Sequence, residues 1–196
     1  LTGKPINSWG SLGRTEATGY GLLYFAENLL EGNGESLEGK RVVISGKGNV
    51  AYYAAEKAIE LGASVIAMSD TSGYIYQDNG IDLEVVKNIV DINGSFSDIN
   101  DGSFVADTSA FMVDAPFDLA LPCATQNEIT IEEAKNIVEQ GAKYVLEGAN
   151  MPNTDEAVAY YKNNNVVFGP GKAVNAGGVA VSALEMTQNA QRLSWT

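Results

Sequence analysis

The chain has 196 residues, of which 45% are hydrophobic and 19% charged, and its net charge is −13. These values are typical of a globular domain with a substantial core, and they exclude a disordered chain. The acidic balance argues against nucleic acid as a partner, and the lack of a run of about 20 apolar residues excludes a membrane-spanning helix. With one cysteine and no histidine, the sequence excludes an internal disulfide and a histidine-based triad, and it indicates no metal site.

Hydrophobic periodicity predicts alternating helices and strands in the first half of the chain. The predicted elements are a helix over 15–31, a strand over 41–45, a helix over 49–61, a strand over 64–68 and a helix over 83–92. Residues 74–76 and the Asp78-Asn79-Gly80 turn predict a small hairpin. Residues 93–115 are polar and aperiodic, which predicts a surface loop that holds a short helix at most.

The alternation continues in the second half. Strands are predicted over 117–121, 144–146 and 166–168, and helices over 130–140, 155–162 and 179–193. Thr130, with Glu133 three residues later, predicts a capping box at the start of one of these helices. The whole pattern predicts an α/β fold, doubly wound, with a mostly parallel sheet and helices on both faces.

A glycine-rich loop follows the first predicted strand and opens the next helix. Gly46-Lys47-Gly48-Asn49-Val50-Ala51 has the spacing G-x-G-x-x-A, which lets a backbone turn approach a pyrophosphate at a helix N-terminus. Asp70 ends the next strand, 19 positions after Ala51, where a carboxylate can accept hydrogen bonds from ribose hydroxyls. Two alternatives stay open, namely a purely structural turn and an Asp70 that caps or forms a turn. Lys47 is interpreted as a screen for the pyrophosphate or as a solvated loop lysine.

Five motifs spread over the whole chain resemble the Glu/Leu/Phe/Val dehydrogenase family, and specifically the coenzyme-binding domain of its small-subunit, hexameric glutamate dehydrogenases. They are Gly13-Arg14-Thr15-Glu16-Ala17-Thr18-Gly19-Tyr20-Gly21, Gly46-Lys47-Gly48-Asn49-Val50-Ala51, Leu121-Pro122-Cys123-Ala124-Thr125-Gln126-Asn127-Glu128, Glu147-Gly148-Ala149-Asn150-Met151-Pro152 and Ala173-Val174-Asn175-Ala176-Gly177-Gly178-Val179-Ala180. The resemblance implies a Rossmann-like fold with one reversed strand and reversible oxidative deamination of L-glutamate to 2-oxoglutarate and ammonia.

The resemblance also implies which residues contact ligands. The implied cofactor-binding residues are Thr18, Gly46, Gly48, Asn49, Val50, Ala51, Asp70, Thr71, Ser72, Ala124, Thr125, Asn150 and Asn175, with Thr18 and Asn49 at the nicotinamide half. Ser182 matches the family serine that binds the side-chain carboxylate of the substrate. Bland alternatives remain for several of them: helix caps for Thr18 and Asn49, loop chemistry for the strand-end residues, and a back-bonded helix serine for Ser182.

The lysine and aspartate motifs that perform acid–base chemistry in this family do not occur in the sequence. We therefore expect residues 1–196 to be one dinucleotide-binding domain, cut from a longer protein, with the substrate domain before Leu1 and a returning helix after Thr196. No catalytic residue is assigned within the chain, which by itself should be inactive. A homohexamer formed through the missing domain and a cytoplasmic location, from the absence of a secretory signal, are further expectations.

The choice between NAD and NADP rests on two conflicting signals. Asp70 should repel a 2′-phosphate, and no Lys or Arg occurs between Asn88 and Ala134, a stretch that often carries basic residues in NADP-using members. In contrast, Ser69-Asp70-Thr71-Ser72-Gly73 is similar to a loop of NADP-using and dual-specific members. The sequence therefore favours NAD, or dual use of NAD and NADP, as the cofactor. Two rival functions stay open: a leucine, phenylalanine or valine dehydrogenase, and a non-catalytic nucleotide-binding module.

Overall fold

The fold is known from a computed structural model, which describes residues 2–106, 108–193 and 195. The helices are Ala17–Gly32 (α1), Asn49–Glu60 (α2), Leu83–Asp91 (α3), Ile131–Glu139 (α4), Asp155–Asn163 (α5), Gly171–Val174 (α6) and Ala176–Ala190 (α7). The strands are Arg41–Ile44 (β1), Ser64–Asp70 (β2), Gly73–Tyr76 (β3), Phe104–Ala106 (β4), Leu119–Leu121 (β5), Tyr144–Leu146 (β6) and Val167–Gly169 (β7).

Seven strands form one sheet in the order β4-β3-β2-β1-β5-β6-β7. Every neighbouring pair is parallel except the two that contain β3, which runs antiparallel to both β2 and β4. Rossmann-like topology with one reversed strand is therefore confirmed. The chain builds the sheet outward from β1 in one direction and then returns to β5 on its other side. This reversal of strand order between β1 and β5 leaves a crevice at their carboxyl ends.

The two faces of the sheet carry separate cores. Val42 and Ile44 pack under α1, α2 and α3, whereas Val43 between them points to the face covered by α4 and α5. All three side chains are fully buried, as expected for a strand with helices on both faces. The predicted capping box of α4 is confirmed, because Thr130 caps the helix and Glu133 bonds back to it.

The predicted hairpin is wrong in the position of its turn. Asp70 pairs with Gly73, so the tight turn that joins β2 to β3 is Thr71-Ser72, and Asp78-Asn79-Gly80 follows the hairpin. Gly73 has φ +148°, and a Cβ there would lie 2.1 Å from the Val105 carbonyl oxygen of β4. Only glycine lets the two strands approach so closely.

Residues 93–115 contain more structure than a loop. They include β4, at the edge of the sheet, and two 3-10 turns at Phe96–Asp98 and Ala110–Met112. Hydrophobic periodicity does not predict β4, because the strand has three residues and no buried side chain. The last helix also begins earlier than predicted, at Ala176, and the short α6 precedes it.

The segment 2–14 lies along α7 and is bonded to it. The Gly3 N–H donates to the buried Glu185 carboxylate (2.9 Å), Lys4 Nζ donates to Asn189 Oδ1 (3.0 Å), and Ser11 Oγ donates to Gln188 Oε1 (3.0 Å). These contacts hold the start of the described chain against its last helix. Among the described residues, no helix is long and apolar enough to cross a bilayer.

Candidate functional site

Two cavities meet at the crevice where the strand order reverses. The first has a volume of about 570 Å³, and the second of about 500 Å³. The first is lined by Gly46, Lys47, Gly48, Ser69, Asp70, Thr71, Gly73, Thr108, Ser109, Cys123, Ala124, Thr125 and Glu128. The second is lined by Arg14, Thr18, Val50, Cys123, Ala124, Gly148, Ala149, Asn150, Asn175, Gly178, Val179 and Ser182. Because Cys123 and Ala124 line both, the two cavities adjoin, and together they are called the cleft.

The glycine loop forms the floor of the first cavity. Gly46 has φ +89°, and a Cβ there would sit 3.3 Å from Ala124 Cα on the neighbouring strand-end loop. Gly48 is the N-cap of α2, has nothing within 4 Å of an added Cβ, and leaves the helix without a side-chain cap. The open, uncapped helix end offers free N–H groups to an anion. The N-cap alternative for Asn49 is wrong, because Asn49 is the first residue of the helix.

Asp70 and its turn close the other end of the first cavity. The Asp70 side chain is only 3% exposed and pairs with Lys47 Nζ at 2.9 Å. It also accepts from the Ser72 hydroxyl (2.6 Å), the Ser72 N–H (2.8 Å) and the Phe96 N–H (2.9 Å). Burial opposes ionisation, but the bonds from Ser72, Lys47 and Phe96 outweigh it and hold the Asp70 pKa well below its ordinary value. The carboxylate is therefore ionised and committed to internal donors.

Glu128 supports the loop that the cavities share. It accepts from Ser45 Oγ (2.8 Å) and from the Ala124 N–H (3.1 Å), and Ser45 Oγ accepts from the Cys123 N–H (2.9 Å). Burial raises the Glu128 pKa above its ordinary value, against the lowering effect of these bonds. This network ties the end of β1 to the loop after β5. The sequence analysis missed it, although Glu128 ends one of the quoted motifs.

The second cavity brings together residues from α1, from the loop after β6 and from α7. Asn175 Nδ2 donates to Asn150 Oδ1 at 2.9 Å and to the Gly148 carbonyl at 3.2 Å. Thr18 lies in the first turn of α1, whose N-cap is Glu16, so the capping alternative for Thr18 is wrong. A Cβ on Gly178 would lie 2.1 Å from Thr18 Oγ1, which shows how closely α7 passes α1.

Arg14 and Ser182 form the outer end of the second cavity. Arg14 Nε donates to Ser182 Oγ at 2.7 Å, and Thr2 Oγ1 lies 3.1 Å from the same oxygen. The back-bonded alternative for Ser182 is not what the structure shows, because the hydroxyl bonds to side chains of another segment. Sequence reasoning gave Arg14 no role, although it belongs to the first quoted motif. The pair presents a guanidinium and a hydroxyl, which together suit a carboxylate.

Cys123 is buried beneath the cleft, 8% exposed, and burial raises the pKa of its thiol. It is thus a small core residue and not an activated nucleophile. Within residues 2–106, 108–193 and 195, no group of three or more metal-ligating side chains is close enough to hold a metal ion.

Fold and cleft together define an α/β domain of the Rossmann type, with a glycine loop and an uncapped helix end at the switch point. The sequence model of the Glutamate/Leucine/Phenylalanine/Valine dehydrogenase family matches residues 10–196, and the chain belongs to that family.

Two curated relatives and two solved structures illustrate the relationship, and all of them align with the full chain. "NADP-specific glutamate dehydrogenase" of Chlorella sorokiniana is 46% identical, and "NAD(P)-specific glutamate dehydrogenase" of Xylanibacter ruminicola is also 46% identical. The chain covers 39% and 45% of their lengths. Glutamate dehydrogenase of Plasmodium falciparum superposes with a TM-score of 0.93 at 41% identity, with 43% of that chain covered. The hetero-hexameric glutamate dehydrogenase of Thermus thermophilus, in its leucine-bound form, gives 0.87 at 28%, with 45% covered. The chain thus spans less than half of each protein.

Proposed function

We propose that the chain is the cofactor-binding domain of a glutamate dehydrogenase, which interconverts L-glutamate with 2-oxoglutarate and ammonia. The observation that carries this proposal is the pair of adjoining cavities, one lined by the glycine loop and the other by the Arg14–Ser182 pair. It offers a place for a dinucleotide at the switch point and a carboxylate-binding end beyond it. The printed names of the relatives and of the solved structures agree with this reading.

The residues of the cleft fit a nicotinamide dinucleotide. The free helix end at Gly48 and the open space above it suit a pyrophosphate, and the loop held by Glu128 borders both cavities. Thr18, Asn150 and Asn175 line the second cavity, where the nicotinamide half is proposed to lie. When bound, the cofactor supplies the hydride acceptor, while the chain positions its ring and excludes water from one side.

We propose NADP as the preferred cofactor, which replaces the lean towards NAD in the sequence analysis. Most of the similar curated relatives carry NADP in their names, and one carries both cofactors. That lean relied on repulsion of a 2′-phosphate by Asp70, but the Asp70 carboxylate is buried and paired with a cation. Its charge is therefore largely compensated at the place where an adenosine ribose would lie.

Glutamate is favoured over leucine, phenylalanine or valine by the chemistry of Arg14. Beside an apolar side chain, the Arg14 guanidinium would keep its bond to the Ser182 hydroxyl (2.7 Å) but gain no counter-ion from the substrate, whereas the distal carboxylate of glutamate would pair with both groups. The general acid and base, a hexameric assembly and a cytoplasmic location stay predictions about the whole protein. The chain alone is expected to bind the cofactor without turnover.

The experiment that tests this function uses the protein as its gene encodes it. Turnover of L-glutamate and of L-leucine is measured with NADP, in the parent protein and in Arg14→Gln. We expect preference for glutamate in the parent, and a large rise in KM for glutamate in the variant with little change for leucine. Preference for leucine would favour the rival leucine, phenylalanine or valine dehydrogenase. Binding of NADPH without turnover of any amino acid would favour the non-catalytic module.

A further inference from the structure

Lys47 directs its ammonium group away from the glycine loop and into a polar cluster at the end of β2. Its Nζ lies 2.9 Å from Asp70 Oδ2, donates to the Gly94 carbonyl oxygen and sits 5.7 Å above the Phe96 ring. The side chain is 26% exposed and lines the first cavity. Neither interpretation from the sequence, a pyrophosphate screen or a solvated loop lysine, describes this placement.

Asp70 cannot play the ribose-binding part that the fingerprint assigns to such a carboxylate. Lys47, two donors on Ser72, the Phe96 N–H and the Ser95 hydroxyl at 3.2 Å already surround its two oxygens. With a side chain 3% exposed, little of the carboxylate is left to accept a further hydrogen bond. Its geometry suits a fixed counter-ion that holds the lysine in place.

Hydroxyl groups surround the same spot. Ser95 Oγ lies 2.9 Å from Ser72 Oγ, and Ser97 Oγ donates to Ser95 Oγ at 3.0 Å. Thr71, at the tip of the hairpin, is exposed and lines the cavity with Lys47. Lys47 is the one cation among the described residues that line the first cavity, and no Lys or Arg occurs between Asn88 and Ala134. A cation framed by hydroxyls is a common environment for a phosphate monoester.

We propose that Lys47 is the specificity-determining residue for the 2′-phosphate of NADP, with Asp70 as its buried counter-ion and the Thr71–Ser72 turn as its hydroxyl rim. This inference rests on the proposed function, because it assumes that a dinucleotide lies in the cleft. Lys47 thereby supplies from the glycine loop the positive charge that residues 88–134 do not contain. Asp70 fixes the position of that charge and does not select the cofactor by repulsion.

The test measures the dissociation constants of NADPH and NADH separately, from the fluorescence of the reduced nicotinamide, for the protein as its gene encodes it (the parent) and for its Lys47→Gln variant. The parent should bind NADPH more tightly than NADH. In the variant, NADPH binding should weaken about tenfold to a hundredfold, the range for one charge-assisted hydrogen bond, and NADH binding should change little. Lys162→Gln is the matched control, because it removes the same charge from an exposed position on α5 and should change neither dissociation constant.

A second variant separates direct recognition from mere neutralisation of Asp70. Lys47→Gln/Asp70→Asn removes both charges. It also avoids the unpaired buried carboxylate that Lys47→Gln alone would leave, which can destabilise the fold. If Lys47 contacts the phosphate, the double variant still lacks the NADPH preference. A restored preference would mean that Lys47 only screens Asp70, and the proposal would be overturned. An equal loss of NADH and NADPH in Lys47→Gln would also overturn it and leave the proposed function intact. A parent protein that binds neither nucleotide would refute both.

Discussion

The contact between α1 and α7 can be tested by adding one methyl group at Gly178. An added Cβ would lie 2.1 Å from Thr18 Oγ1, about 1 Å closer than side-chain carbons approach other atoms, and the next atom is Thr18 Cβ at 3.4 Å. Only the hydroxyl oxygen therefore stands in the way. Forced overpacking costs about 1–3 kcal/mol, whereas replacing a helical glycine by alanine returns up to about 1 kcal/mol. Gly178→Ala should thus be destabilising by about 1–2 kcal/mol.

The same substitution should change sign once the obstructing oxygen is removed. In a Thr18→Ala background, Gly178→Ala meets no atom closer than ordinary contact and should stabilise the fold by about 0.5–1 kcal/mol. Urea unfolding of the four proteins in this cycle measures the coupling free energy, with unchanged m-values as the check on two-state behaviour. If the substitution had the same sign and size in both backgrounds, the close approach of the two helices would be refuted.

Three further predictions concern Gly19, Asp70 and Glu128. Gly19→Ala should destabilise the fold, because an added Cβ would lie 2.6 Å from the Ala54 backbone nitrogen, whereas Gly32→Ala in the same helix meets nothing within 4 Å and should be neutral or stabilising in thermal unfolding. The Asp70 pKa is lowered in the folded chain, so its contribution to stability is complete above about pH 4 and is lost as the pH falls further. Asp70→Asn should therefore reduce the fall of the unfolding free energy at acid pH. The Glu128 pKa is raised in the folded chain, so its contribution to the free energy of unfolding is lost as the pH rises from about 4.5 through the folded value. A Glu128→Gln variant that kept this decline would contradict the assignment to Glu128.

Much of the fold follows from the sequence because the buried strands and amphipathic helices have clear periods. β1, β2 and β5 are short apolar runs between turn residues, and such runs are read reliably. β4 is different, because a three-residue edge strand leaves its side chains half or fully exposed and carries no periodic signal. The hairpin turn was misplaced for a related reason, since Asp-Asn-Gly is a stronger turn signal than the Thr71-Ser72 pair that makes the bend.

The backbone positions of the candidate site could be predicted from the glycine motif, whereas the side-chain pairings within it could not. Gly46, Gly48 and Ala51 lie at the switch point as the fingerprint requires. The pairing of Lys47 with Asp70 depends on a fold-back of 23 residues along the sequence, which no local pattern encodes. The Arg14–Ser182 contact joins positions 168 residues apart and becomes visible only when α7 is placed beside the start of the chain.

The bonding of segment 2–14 to α7 has a mechanical consequence. Thr2 touches Ser182 and Lys4 touches Asn189, so the start of the described chain lies against its last helix. The domain therefore places its points of entry and exit within about one length of α7, roughly 20 Å, although nearly two hundred residues lie between them. A second domain joined to both ends would be held by two neighbouring chain connections, or tethers. These would let it rotate about the line through the two connections and would resist its separation. Because Thr2 bonds to Ser182, one of the two tethers would begin directly beside Ser182.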